Sequence, residues 1–294
     1  MNKASIFKLN ISEIIKTSFK IGAFLLSSLS IFLTFVTFEE IGINKTWIKI
    51  IILIAIFIFS FLLSSVIFVF FFKKKKIWHR GKNSVVATYG DILQFAFSSK
   101  IKEKRIVVIP VNDYFDTIVE EPGEDVIKTL VAPTTIHGMW IKQYLNRENI
   151  KEETLRDRIN KSLSIHGFNG EKVSREKGNQ IKYSLGDVAI IDGQNNCVFY
   201  LLAISKFDEN NNAHVSKKEL RDCIELLLDF YDKNGQSIPI YIPLMGTGSS
   251  RAGLTHESSL KVIKSCVLTS EEKINGCVNI IVYKKDKDKV SIFK

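Results

Sequence analysis

The chain has 294 residues, 46% of them hydrophobic, and a net charge of +10 at pH 7, enough for one α/β domain with a sizeable core and a further element beside it. Its four cysteines are scattered without metal-ligand spacing, which excludes a disulfide scaffold and a zinc module and predicts reduced thiols in a cytosolic core. The charge is local: residues 1–20 carry +3 and residues 73–82 carry +6, leaving about +1 for residues 83–294, too little for a nucleic-acid-binding face.

Two apolar runs come first. Ile21 to Phe38 is 18 residues without a charge, and Ile50 to Phe72 is 23. At about 1.5 Å per residue the second reaches roughly 34 Å, enough for a hydrocarbon core of about 30 Å. The first reaches full span from Phe19 if Lys20 snorkels. These lengths predict a hairpin over residues 1–82 with spans at about 19–38 and 50–72. Lysines 3, 8, 16 and 20 precede the first span; Lys73 to Lys76, Arg80 and Lys82 follow the second, and the loop between sums to zero. The positive-inside rule then puts both termini in the cytoplasm of a multi-pass protein, and the basic flanks meet anionic lipid. A cleaved signal peptide fits less well, because the first run is too long and a second span follows at once.

Residues 83–294 predict one α/β domain. A strand at 84–89 leads through Gly90, Asp91 and Ile92 into an apolar segment at 93–97, and Ile106 to Val111 is a buried strand with Pro110 near its end. Leu155, Ile159 and Leu163 mark a charged helix over 149–163, within an insertion at about 140–182. Strands at 187–191 and 198–204 flank Gln194-Asn195-Asn196, a hairpin signal. Ser216 with Glu219 reads as a capping box opening a helix to Tyr231. A strand at 238–242, a glycine loop, a helix from Thr255 to about Leu268 and a strand at 278–283 complete a mixed sheet covered by helices.

The loop Pro243 to Arg251 lies between a strand and a helix. Gly246 and Gly248 allow close backbone approach, Thr247, Ser249 and Ser250 add hydroxyls, and Arg251 can make a bidentate contact, a pattern suited to phosphate and equally to a plain turn. Asn112 to Thr117 sits at a strand's carboxyl end, where ligands gather in open α/β sheets. Asp113 and Asp116 there are candidates for acid–base chemistry or for capping the turn. His137, before Gly138, reads as structural or ligand-facing. His79, His166, His214 and His256 show no ligand spacing, so neither a metal site nor a cofactor is expected.

Taken in order, Gly90-Asp91-Ile92, then Ile109 to Asn112, then Gly246-Thr247-Gly248 before a late helix resemble the macro domain, a family that binds ADP-ribose and related nucleotides. Pro110 to Thr117, Thr135 to Gly138 and Pro243 to Arg251 are similar to the macro-domain effectors of Thoeris anti-phage systems, one lineage of which carries an N-terminal membrane hairpin. The resemblance covers about residues 84–284 plus the hairpin. It implies a macro-like mixed-sheet α/β/α fold in which Asp91 and Ile92 read adenine, Asn112 lies near the distal ribose, and Gly246 to Ser250 wrap the diphosphate. Phe115, Asp116, Thr117, His137, Gly138 and Arg251 complete the expected ligand-binding set. Hydrolytic macro domains place a glycine-rich stretch soon after that Asn. Here residues 113–126 are bulky and acidic with one glycine, which favours sensing over catalysis.

The resemblance therefore implies a bacterial inner-membrane effector. Its head senses an NAD-derived ADP-ribose signal, for this lineage one conjugated to histidine, made by a TIR-domain enzyme. It then forms a homo-oligomer whose hairpins disrupt the bilayer, causing cell death or arrest. Two rivals stand beside it: a membrane-tethered ADP-ribose hydrolase using Asp113 or Asp116, and an RNA or poly-ADP-ribose binding module.

Overall fold

The computed structural model describes residues 2–121, 129–208, 212–235, 237–248 and 253–294. The chain forms two compact units, Met1–Lys73 with Lys287–Lys294, and Lys74–Asp286. The division differs from the expected one after residue 82 because Lys74–Arg80 is a strand, and because the last eight residues return to the first unit.

In that first unit, helix α1 (Lys3–Leu33) is followed by α2 (Thr46–Val66), which ends in a π-helical turn at Ile67–Phe71. Both helices are long and apolar enough to cross a membrane. They expose rather than bury their apolar side chains, Phe24 at 70% and Ile58 at 56%, unlike core helices of a water-soluble fold. Helix α1 starts sixteen residues before the expected span and stops short of Phe38. It buries Ile6, Asn10, Ile14, Ser18 and Gly22, one residue per turn. Gly22 is needed for closeness: a Cβ there would meet the Phe57 ring at 3.3 Å.

Residues 287–294 form a strap on this unit. Ser291 donates to the buried Asn10 Oδ1 at 2.5 Å, and Lys287 Nζ donates to the Val69 carbonyl of the π-turn at 2.9 Å. Phe293 packs edge-on against Phe68 at 5.1 Å and lies 5.6 Å from Phe72. Each contact gives a buried polar group of the helices a partner or covers an aromatic ring, so the strap completes the unit.

The second unit holds strands β1 (Lys74–Arg80), β2 (Asn83–Gly90), β3 (Arg105–Asn112), β4 (Glu171–Lys172), β5 (Ile181–Lys182), β6 (Val188–Asp192), β7 (Cys197–Phe207), β8 (Ala213–His214), β9 (Ile240–Pro243) and β10 (Cys277–Tyr283). Its helices are α3 (Ile92–Phe97), α4 (Ile136–Glu148), α5 (Glu152–Ile165), α6 (Lys217–Asn234) and α7 (His256–Thr269). The main sheet runs β1-β2-β10-β9-β3-β7-β6, with β8 on β7. Neighbours from β2 to β7 are parallel; β1 and β6 add antiparallel edges. The expected hairpin is the β6–β7 pair, turned through Asn195 and Asn196, both at positive φ. The capping box at Ser216 and Glu219 is present.

Alternate β3 side chains, Val107, Ile109 and Val111, share one core with Trp140 and Tyr144 of α4 and Leu155 and Ile159 of α5. Helices α6 and α7 pack on each other and on β7 and β10, giving layers of helix, sheet and helix. Cys197, Cys223 and Cys266 are buried thiols and Cys277 is half-buried, all unbridged, as the composition predicts.

One feature of the sheet positions the site. Strands β3 and β9 pair only at Ile106–Ile240 and Val107–Tyr241, although both continue. Ile106 donates to the Pro239 carbonyl, so even-numbered β3 amides face β9; Leu244 donates to Ile281, so odd-numbered β9 amides face β3. Continuing that register sets Pro243 across from Ile109 and Pro110 across from Leu244, so the prolines fall at the next donor positions on the two facing edges, and neither has an N–H to give. The ladder ends there, and the strands part toward their carboxyl ends.

The start of β3 is fixed by Arg105, which is 1% exposed. Its guanidinium donates to the carbonyls of Phe95, Ala96, Ser98, Ile101, Glu103 and Asn195. Arg105→Lys removes the fork and strands several of these acceptors. We expect it to lower the unfolding free energy of the detergent-solubilised protein by about 3 kcal/mol in denaturant titration; an unchanged midpoint would refute this.

Candidate functional site

The parting of β3 and β9 opens a cavity of about 600 Å³ at the carboxyl ends of the central strands. Pro110, Val111 and Asn112 line it from β3, Ser205 and Phe207 from β7, and Leu244 to Gly248 from the loop after β9. Thr129 to Ala132 and the start of α4, Thr134 to His137, close the far side. Among the described residues the lining has no charged side chain.

The glycine loop is held at its base by Ser259, a fully buried residue of α7. Its hydroxyl donates to the Met245 carbonyl at 2.6 Å and accepts from the Met245 amide at 3.2 Å. Gly246 has φ +80, a conformation glycine adopts without strain. At Gly248 an added Cβ would meet nothing within 4 Å among the described residues. Ser249, Ser250 and Arg251 lie outside the described residues.

Across the cavity, Thr135 caps α4 by accepting from the Gly138 amide at 3.0 Å. The Ile136 and His137 amides belong to the first turn, where no intrahelical acceptor exists, and no acidic side chain sits there. The positive end of a 13-residue helix thus meets the cavity. His137 is buried, and burial holds its imidazole down at about 3, so it is neutral at pH 7. Its Nε2 has no hydrogen-bond partner, and its ring lies 6.4 Å from Trp140, nearly parallel.

The structure thus gathers Asn112, His137, Gly246, Thr247 and Gly248 around one cavity; the other expected residues that the structure describes lie elsewhere. Asp91 is the N-cap of α3, accepting from Leu93, and Ile92 is in the core. Gly138 is placed by packing, since a Cβ would collide with the Ala132 carbonyl. Thr117 donates to Glu152. Phe115, at φ +51, packs edge-on against Tyr183 at 5.4 Å.

Asn112 itself is occupied. Its Oδ1 accepts from the Tyr114 and Asp116 amides, and its Nδ2 donates to Asp116 Oδ2 at 3.2 Å, pinning the turn in which Phe115 takes its left-handed conformation. Asp116 is buried and accepts from Arg175 at 3.2 Å and from the Asn179 amide at 2.9 Å. Arg175 also stacks 3.8 Å over the Tyr114 ring. Burial raises the Asp116 carboxyl while Arg175 opposes it. Asp113 is pushed up to about 6 by burial, against the Phe207 amide and Lys182 at 3.6 Å, and it faces a different pocket, with Lys182 and Glu219.

Sequence reasoning missed the wall at Thr129–Ala132, Ser205 and Phe207 of β7, and the loop lock at Ser259. Helix α4 carried a start signal, Thr135 ahead of an apolar run. Nothing local marks Ser259, which acts 14 residues away from its partner.

A mainly parallel sheet between helices, with a ligand-sized cavity where two central strands diverge, is an open α/β architecture of the kind that takes ligands at the carboxyl ends of its strands. Residues 85–283 match the family described as Thoeris protein ThsA, Macro domain, and the chain belongs to that family. The Thoeris protein ThsA of Bacillus amyloliquefaciens (strain Y2) is 27% identical over 210 residues, covering 70% of this chain and 64% of that protein. The chain therefore matches just under two thirds of that relative's length. The Oceanobacillus iheyensis macrodomain with MES bound is 14% identical, covering 73% of this chain and 92% of its own, with a TM-score of 0.45. The Trypanosoma brucei macrodomain in complex with ADP-ribose is 10% identical, covering 69% and 65%, with a TM-score of 0.39. The macro-like fold and the Thoeris resemblance expected from the motifs are borne out.

The neutral His137 has a measurable consequence. Its pKa falls from 6.5 free to about 3 folded, so below pH 6.5 the unfolded chain binds a proton that the native state does not. Stability is then lost as pH falls through that window. Asp113, with a raised pKa, works in the opposite sense between about 6 and 3.8. His137→Gln should remove about 2 kcal/mol of the destabilisation between pH 7 and pH 5 relative to wild type. Parallel denaturant titrations at the two pH values would show it, and identical pH slopes would exclude it.

Proposed function

We propose that the head binds an ADP-ribose-type signal nucleotide without consuming it. What carries this reading is the uncharged cavity between the Gly246–Gly248 loop and the start of α4. A diphosphate can be held there by backbone N–H groups and the helix dipole, as anions are at helix starts. The hydroxyls of Thr129, Thr134 and Thr247 supply further donors. A hydrolase needs a carboxylate or similar base within reach of the reacting sugar. Asp113 and Asp116 do not line the cavity, and Asp116 is bound to Arg175. Among the described residues the lining thus supports sensing and offers no carboxylate for turnover. An RNA or poly-ADP-ribose module fits less well, since such binding draws on basic side chains, and among the described residues the lining has none.

The ligand of this lineage is an NAD-derived ADP-ribose conjugated to histidine and supplied by a TIR-domain enzyme. The two apolar helices sit in the bacterial inner membrane as a multi-pass anchor with both termini cytoplasmic. Ligand binding favours a homo-oligomer whose assembled hairpins breach the bilayer, which requires the ligand to bind the assembled state more tightly than the resting one. The outcome is death or arrest of the infected cell.

Titration calorimetry with ADP-ribose and its histidine conjugate, followed by chromatography of the recovered ligand, tests the first claim. We expect saturable binding with ligand returned intact; release of free ADP-ribose from the conjugate would establish the hydrolase instead. Gly248→Val should abolish binding in a folded protein, because the new side chain enters open space and not the core. For the membrane step, cells making the full chain with the TIR enzyme should depolarise, while cells making residues 74–294 with it should not. Equal toxicity of the two would reduce the hairpin to a tether.

A further inference from the structure

Helix α1 carries a polar stripe that the single hairpin leaves uncovered. Lys8, Ser12, Lys16 and Lys20 are exposed, and they alternate with the buried series Ile6, Asn10, Ile14, Ser18 and Gly22. Each stripe residue is two positions from its buried neighbours, about 200° round the helix, so the stripe points directly away from α2. Ser27, Ser30 and Thr34 continue it at exposed positions in steps of three, four and seven residues. Glu13 accepts from Lys16 at 2.8 Å and cancels part of the charge, but the stripe stays basic.

The stripe lies at the depth of the most apolar part of α2. Phe7 packs edge-on against Phe61 at 6.1 Å, Phe19 against Phe57 at 6.0 Å, and Lys3 Nζ sits 4.9 Å over the Phe70 ring. Residues 3–19 of α1 therefore lie beside residues 57–70 of α2, within its uncharged run. When that run crosses a bilayer, Lys8 and Lys16 are carried to hydrocarbon depth. A charged lysine there is costly unless it snorkels or meets water. Helix α2 has no polar face to offer them.

We propose that α1 lines a water-filled path between several copies of this chain, α2 facing lipid, and that the path passes anions in preference to cations. Lysines repeated round a lumen by symmetry attract anions and repel cations, as basic rings do in anion pores. This rests on the reading above that assembled hairpins act on the membrane, and it specifies what passes and which face is wet.

Full-length protein in vesicles of phosphatidylethanolamine and phosphatidylglycerol, fused to a planar bilayer under a potassium chloride gradient, tests it. The measurement is made with and without added histidine conjugate of ADP-ribose. Wild type should favour chloride over potassium by about tenfold. The triple variants Lys8→Gln/Lys16→Gln/Lys20→Gln and Lys8→Glu/Lys16→Glu/Lys20→Glu should respectively abolish and invert the preference. The glutamine set stands in if the glutamate set fails to insert. A wild-type conductance that favours potassium, or a selectivity unmoved by the glutamine set, overturns this inference and leaves the membrane-effector reading intact. Absence of any conductance in wild type under both conditions overturns both.

Discussion

Two prolines on the facing edges of neighbouring strands shape the head. A parallel sheet gains little by ending a ladder early, since every buried amide it frees needs another partner. Pro110 on β3 and Pro243 on β9 avoid that cost because neither has an amide hydrogen to strand. The strands separate where pairing is cheapest to lose, and a cavity occupies the space between them. The glycine loop and the α4 start then supply donors on opposite sides. Ser259 fixes one, the Thr135 cap the other.

Among the described residues, charge is arranged around that cavity and not within it. Asp116 is neutralised by Arg175, Asp113 faces another pocket, and Asn112 spends its amide on its own turn. What remains is a set of partial charges: amide hydrogens, hydroxyls and a neutral imidazole. Such groups reorganise little when a ligand arrives, which suits recognition. Among the described residues they include no strong base.

Much of this was legible in the sequence because its signals were local. The β6–β7 hairpin followed from alternating apolar runs and an Asn pair, α6 from its capping box, and β3 from an unbroken apolar run. What escaped depended on distant partners. Strand β1 reads as a basic membrane flank, because a lysine-rich segment at a sheet edge looks like any solvated charge run until β2 is seen to pair with it. Arg105 looks like the end of a charged loop and is instead a buried clamp on six carbonyls. The site divided along the same line. The glycine loop and His137 were visible as motifs, whereas Arg175 reaches Asp116 from 59 positions away. Asn112 was found for its place at a strand end, and its engagement with its own turn was not. The stripe on α1 was hidden for a related reason: reading a span by its longest uncharged run sets aside the lysines before it.

The strap has a consequence for how the protein is made. Asn10 waits for Ser291, 281 residues later in the chain, and Phe68 waits for Phe293. Both helices leave the ribosome long before those partners exist, with Asn10 able meanwhile to satisfy only its amide, on the Ile6 carbonyl. A chain cut short anywhere in the head never acquires the residues that finish its hairpin. Completion of the first unit therefore waits on synthesis of the whole head. The part of the chain made first is the part finished last.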